Sequence, residues 1–203
     1  MRKQIFLAAI LILMGSGFLY FYKNIVWYNF AVWGWWLFFD CLSHWQGNKT
    51  TLDLIFKKKY YSFFRLYGLL LLISIVMEVV ASLIFGLWSY PKLWRIEPLW
   101  LLILVNFWGY LSYPIIFMSL MEMYAFLYTL IRRKWIAVIS FLIVGIVIWE
   151  VPNIFSQDWI YYISFVDYNL GGLNVVVILG WVILLFIPVY VYHYFHWNTR
   201  IKI

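Results

Sequence analysis

Two glutamates lie inside long apolar runs, Glu78 in LLLLISIVMEVVASLIFGLW and Glu122 in IIFMSLMEMYAFLY. An ionised acid at the centre of a lipid-spanning helix costs about 2.5–3.5 kcal/mol, so each must be paired, neutral or functional. Glu78 follows Arg65 by thirteen residues and Glu122 precedes Arg132 by ten. At the helical rise these separations are about 20 Å and about 15 Å, which predicts both carboxyls near the bilayer midplane on different spans. If they face one chamber, one serves as proton donor and the other as its base. Trp88, Tyr90, Asn106, Tyr110 and Tyr113 are the candidate lining, with aromatic faces that stabilise cationic character. The competing reading treats both acids as packing groups, satisfied by interhelical bonds to Ser, Asn and Tyr. Ser74, Ser82 and Gly86 fall at steps of four around Glu78, a spacing that lets another helix approach closely.

A second constellation lies nearer the basic ends of the spans. Trp33, Trp36, Asp40 and His44 share one helical face, and His193 and His196 stand one turn apart near the last basic residues. Asp40, His44, His193 and His196 offer four metal ligands from two helices. The plainer reading makes them interfacial histidines beside an anchoring tail, with no metal and no other cofactor. The single Cys41 rules out an intramolecular disulfide. Asn48-Lys49-Thr50 matches a glycosylation acceptor but falls on the side the charges assign to the cytoplasm.

The elements that must position these groups are legible from composition. Hydrophobic residues make up 67% of the 203-residue chain and charged residues 11%, and the apolar residues come in blocks rather than stripes. The expected fold is all-α, a single polytopic transmembrane helix bundle over residues 1–203. Candidate spans are 4–22, 25–42, 64–88, 98–131, 135–152 and 172–194. The stretch 98–131 is too long for one simple crossing, and Pro114 offers a break that leaves 98–112 as a short re-entrant piece. The first span resembles a signal peptide but lacks a convincing cleavage site, so it is expected to stay as an uncleaved helix.

Six crossings with both termini in the cytoplasm place twelve of the fifteen basic residues inside, leaving Lys23, Lys92 and Arg95 outside. Seven crossings are the alternative. The net charge of +7 therefore reads as membrane anchoring, probed against anionic headgroups rather than nucleic acid. Glu150 and Pro152 are expected to close the fifth span at its outer edge. The outer loop 153–171 carries Asp158 and Asp167, and Gly171-Gly172 reads as loop.

The stretch Glu78–Tyr90, EVVASLIFGLWSY, has an acid followed by Gly86-x-Trp88-x-Tyr90. It resembles the signature of the lycopene cyclase-like family of small multi-span membrane proteins. Trp33-Gly34-Trp35-Trp36 running into Asp40, and Pro114 followed by Glu122, add to the resemblance. The paired glutamates that the family places after its proline are absent here. The resemblance covers about a third of the chain and implies protonation of a polyisoprenoid or carotenoid-type lipid without a redox cofactor, in a bacterial cytoplasmic membrane. Two other classes compete: a metal-dependent lipid hydrolase or oxidase, and a non-enzymatic membrane subunit or small transporter. Expected partners are a membrane lipid or apolar isoprenoid, and a second copy of the chain or another membrane protein.

Overall fold

The computed structural model describes residues 2–22, 26–162, 169–170 and 173–200, with the side chains of 22, 94, 169–170, 173 and 195–200 outside that description. Among the described residues five helical stretches are long and apolar enough to cross a membrane: Arg2–Phe21, Tyr60–Ile84, Leu99–Ile131, Lys134–Ser156 and Val175–Tyr194. The architecture is an all-α bundle of the integral-membrane kind. Lys23, Asp167, Gly171, Gly172 and Lys202 lie outside the described residues.

Helix α1 (Arg2–Gly17) continues as a π-helical turn over Phe18–Tyr22, and α2 (Val26–Trp45) returns antiparallel along it. Two glycines set their separation. A Cβ at Gly34 would stand 2.7 Å from Ile12 Cγ1 and 3.0 Å from Ile12 N, and one at Gly15 3.0 Å from Trp27 O. At the other end Cys41 Sγ donates to Gln4 Oε1 at 3.6 Å, so α2 follows α1 from end to end. With 20 residues, α2 has the reach of a span although its Trp, Tyr and Asn keep it out of the most apolar set. It is the central helix, packed against α1 on one side and α5 on the other.

After α2 the chain turns back as a short helix, α3 (Thr51–Phe56), then rises as α4 (Tyr60–Glu78). Helix α3 begins with a capping box: Thr50 Oγ1 accepts from Asp53 N and the Asp53 side chain accepts from Thr50 N. Helix α4 passes into a π-helical stretch over Val79–Ile84 and stops at Gly86, which adopts φ +58°. The expected face of Ser74, Ser82 and Gly86 is therefore not formed. Ser74 Oγ bonds its own helix at Leu70 O, Ser82 Oγ bonds Trp88 O, and nothing lies within 4 Å of a Cβ at Gly86. Gly86→Ala meets no clash, so its cost is the left-handed conformation alone. We expect a loss of about 1 kcal/mol in detergent unfolding; an unchanged midpoint would mean that the turn relaxes.

Helix α5 (Leu99–Ile131) is continuous through Pro114, contrary to the expected break. Proline removes one helical bond and crowds the preceding turn. Tyr67 of α4 donates to Leu111 O in that turn at 2.8 Å, tying α4 to α5 beside the proline. The 33 residues span about 50 Å, well beyond a bilayer core of about 30 Å. Helix α6 (Lys134–Ser156) runs past Pro152 rather than ending there, and α7 (Val175–Arg200) closes the bundle. At the end away from the basic clusters, β1 (Trp88–Ser89) pairs antiparallel with β2 (Ile160–Tyr161), and β3 (Asn169–Leu170) with β4 (Leu173–Asn174).

Candidate functional site

Glu78 closes α4 where the helix loosens into its π-helical turn, a device frequent at functional sites. Tyr90, from the loop after β1, donates to Glu78 Oε2 at 3.1 Å, and Tyr113 of α5 reaches the same oxygen at 3.2 Å. The two phenol oxygens are 2.8 Å apart, and Trp88 Nε1 donates to Tyr90 Oη at 3.1 Å. Tyr28 of α2 lies within electrostatic reach of Glu78, Tyr90 and Tyr113. Burial first, and then the Glu78 charge, hold the Tyr90 phenol well above its ordinary range, so it remains an O–H donor. Two phenol protons serve three contacts in this triangle. A proton added to Glu78 is accommodated by turning hydroxyls, with no movement of the heavy atoms.

The other expected lining residues do not join. Asn106 Nδ2 bonds Leu102 O on its own helix, and Tyr110 only tilts its ring against Tyr113 with centroids 6.0 Å apart. Glu78 and its neighbours are half-buried rather than enclosed, and Val79 and Leu83 beside them are exposed on the outer surface of the bundle. Of two surface hollows, one of about 640 Å³ is lined by Ile96, Glu97, Pro98, Leu99 and Leu102, and neither reaches Glu78.

Glu122 belongs to a different network. Its Oε1 accepts from Thr51 N at 2.7 Å, while Asp40 Oδ2 accepts from Leu52 N at 3.0 Å and from Thr51 Oγ1 at 3.5 Å. Trp36 Nε1 donates to Thr51 Oγ1 at 2.8 Å. The two acids, 3% and 2% exposed, thus receive the free amides of the first turn of α3. The expected common chamber is not formed. Nine residues of α5 separate Tyr113 from Glu122, about 14 Å along the axis. Glu122 lies toward the C-terminal end of α2. It is level with Asp40, one turn from the end of α2, because α5 overshoots that end and Asn48 folds over it to bond Thr129 Oγ1 at 3.0 Å.

The face of Trp33, Trp36, Asp40 and His44 is formed as its spacing predicts. Trp33 bonds Ser112, Trp36 bonds Thr51, and His44 Nδ1 lies 3.5 Å from Asp53 Oδ1. A polar pocket of about 150 Å³ lies there, lined by Gln4, Asp40, His44, Thr50, Asp53 and Phe56. The four-ligand metal alternative is not assembled: His193 bonds Tyr124 Oη at 3.2 Å on α5, away from His44, and the His196 side chain lies outside the described residues. Among the described residues no group of three or more His, Cys, Asp or Glu is placed to hold a metal ion.

Two further acids carry no signal in their spacing. Glu150, expected at a watery edge, is fully buried and accepts from Tyr161 Oη at 2.6 Å and from Trp181 Nε1. Burial first, and then the Glu150 charge, keep the Tyr161 phenol protonated far above its usual range. Asp158, also fully buried, accepts from Trp27 Nε1 and pairs with Lys92 Nζ at 3.2 Å. Asn153 Oδ1 receives both Asp158 N and Trp159 N at 3.1 Å, folding the segment after α6 back over the bundle. That fold-back removes Glu150 and Asp158 from water. The α3 capping box, Thr50-x-x-Asp53, was the one missed element with a sequence signal.

Comparison of the chain with protein-family models, with curated proteins and with solved structures finds no match.

Proposed function

We propose that the protein is an intramembrane acid–base enzyme in which Glu78 moves a proton to and from a double bond of an apolar, polyisoprenoid-type lipid. One observation carries this reading. The acid, Trp88 and Tyr90 of the stretch that resembles the lycopene cyclase-like signature converge in one hydrogen-bonded network, joined by Tyr113 from a distant part of the chain. Glu78 donates its proton to the alkene and a carbocation develops. The aromatic faces of Tyr28, Trp88 and Tyr113 stabilise that charge. The carboxylate, held by the two phenols, then removes a proton from a neighbouring carbon. No electron is exchanged, and no redox cofactor enters the step. The substrate reaches the half-buried carboxyl sideways from the lipid. Glu122 has no part in this chemistry.

The test is a deuterium label. Membranes carrying the chain are given a polyisoprenoid or carotenoid-type lipid in heavy water, and carbon-bound deuterium in the extracted lipid is measured. Incorporation should fall by a factor on the order of 10²–10⁴ in Glu78→Gln, the usual range for a lost acid–base group. It should persist, weakened, in Tyr113→Phe. Label that enters equally in wild type and Glu78→Gln would remove the enzymatic reading.

A second reading has its own support. Glu122, Glu150 and Asp158 are all engaged in holding backbone or loops, as in a non-enzymatic membrane subunit. A bundle that incorporates no label, and that co-purifies with a second membrane protein, would favour it.

A further inference from the structure

Apart from Glu78, the bundle contains a pair of buried carboxyls, Asp40 and Glu122, beside a pocket that Asp40 lines. Asp40 and Glu122 come from different helices and both bond the same residue, Thr51. Among the described residues neither forms an ion pair with Lys or Arg, since the nearby Lys57 and His44 are both turned to Asp53. The α3 amides occupy one oxygen of each acid. Ser43 Oγ, fully buried, faces the Glu122 carboxyl from α2 as a hydrogen-bonding neighbour. The 150 Å³ pocket reaches Asp40 from the basic end of the bundle, with His44 half-exposed at its mouth. Other groups facing the pair are Asp53 on α3 and the neutral Gln4 on α1.

We propose that Asp40 and Glu122 form a proton-binding site, holding one proton between them and exchanging it with water through the pocket at His44. Two buried carboxylates bonded to the same residue with no cation beside them repel one another, and one proton shared by the pair relieves that repulsion. A metal cation fits less well, because amide N–H groups from Thr51 and Leu52 point at the same carboxyls. Ser43 supplies the additional hydroxyl that a protonated or ionised Glu122 can use as acceptor or donor. The site lies in a network separate from Glu78 and stands whether or not the lipid chemistry does.

Infrared difference spectra of the purified full chain in H2O and D2O provide the test. At neutral pH a protonated-carboxyl stretch that shifts in D2O is expected, lost in both Asp40→Asn and Glu122→Gln. Bands from Glu78 or Glu150 would persist in those variants, and both substitutions keep a carbonyl oxygen for the α3 amides. Ser43→Ala, which removes only the buried hydroxyl, should move the band without abolishing it. His44→Leu should slow deuterium exchange into the band by a factor on the order of a hundred. The proposal is overturned if no such band exists in the wild type between about pH 5 and 8. It is equally overturned if the band survives both acid substitutions, or if sodium at constant pH abolishes it. An unmoved band in Ser43→Ala, or unaltered exchange in His44→Leu, would overturn the role given to those groups.

Discussion

Asp158→Ala should be among the most destabilising single changes in the chain, lowering unfolding free energy by about 2–4 kcal/mol. Asp158 is fully buried and serves two donors at once, the Lys92 ammonium at 3.2 Å and the Trp27 indole N–H. Removing the carboxylate leaves both without that acceptor in the interior. Lys92 also donates to Ser156 O and its side chain is 30% exposed, so it regains some hydration and the loss stays below that of a wholly enclosed pair. Asp158→Asn, which keeps a carbonyl oxygen for Trp27, should lose less. Adding Lys92→Met to Asp158→Ala should restore part of the loss, since a partly buried ammonium is then no longer left without its carboxylate. Unfolding followed by helical circular dichroism in detergent is the measurement. A midpoint for Asp158→Ala within about 0.5 kcal/mol of wild type would show that water enters the site freely.

Gly34→Leu should force the α1–α2 hairpin apart. Even a Cβ at Gly34 would lie 2.7 Å from Ile12 Cγ1, 3.0 Å from Ile12 N and 3.2 Å from Ala8 O. The first neighbour is a side chain that can rotate, but the other two are backbone and cannot yield without moving α1. Overpacking of this kind costs about 1–3 kcal/mol, and the larger side chain belongs at the upper end. Helix α2 is the central element, so displacement there also disturbs the α5 contacts that hold Glu122 and Tyr113. Gly68→Leu is the matched control, because nothing lies within 4 Å of its Cβ position. Equal stability of the two variants would mean that the hairpin packs more loosely than described.

The same two sites show what spacing can and cannot convey. The placement of Trp33, Trp36, Asp40 and His44 on one face follows from a 3.6-residue period, and the four do point together. Distance from basic anchors does not tell which acids meet: α5 is about 50 Å long, and along it Tyr113 reaches Glu78 while Glu122 reaches Thr51. Small residues at steps of four failed around Glu78, because the chain leaves α-helical geometry at Val79 and the steps no longer mark one face. Glu150, expected at an outer edge, is buried for a different reason: a fold-back of the segment after α6 covers it together with Asp158, and nothing in the local sequence records that.

By itself the sequence determined the solvent and the class of fold. Apolar blocks of membrane length leave helices as the economical way to satisfy backbone polar groups, and this holds whatever the helices then touch. It also set the edges of those helices to within a few residues. Which carboxyls meet was decided only by tertiary structure. Glu78 finds Tyr113, 35 positions away, and Glu122 finds Thr51, 71 positions away. Such pairings depend on helix order, axial offset and the paths of loops, which are properties of the packed whole and leave no periodic trace along the chain.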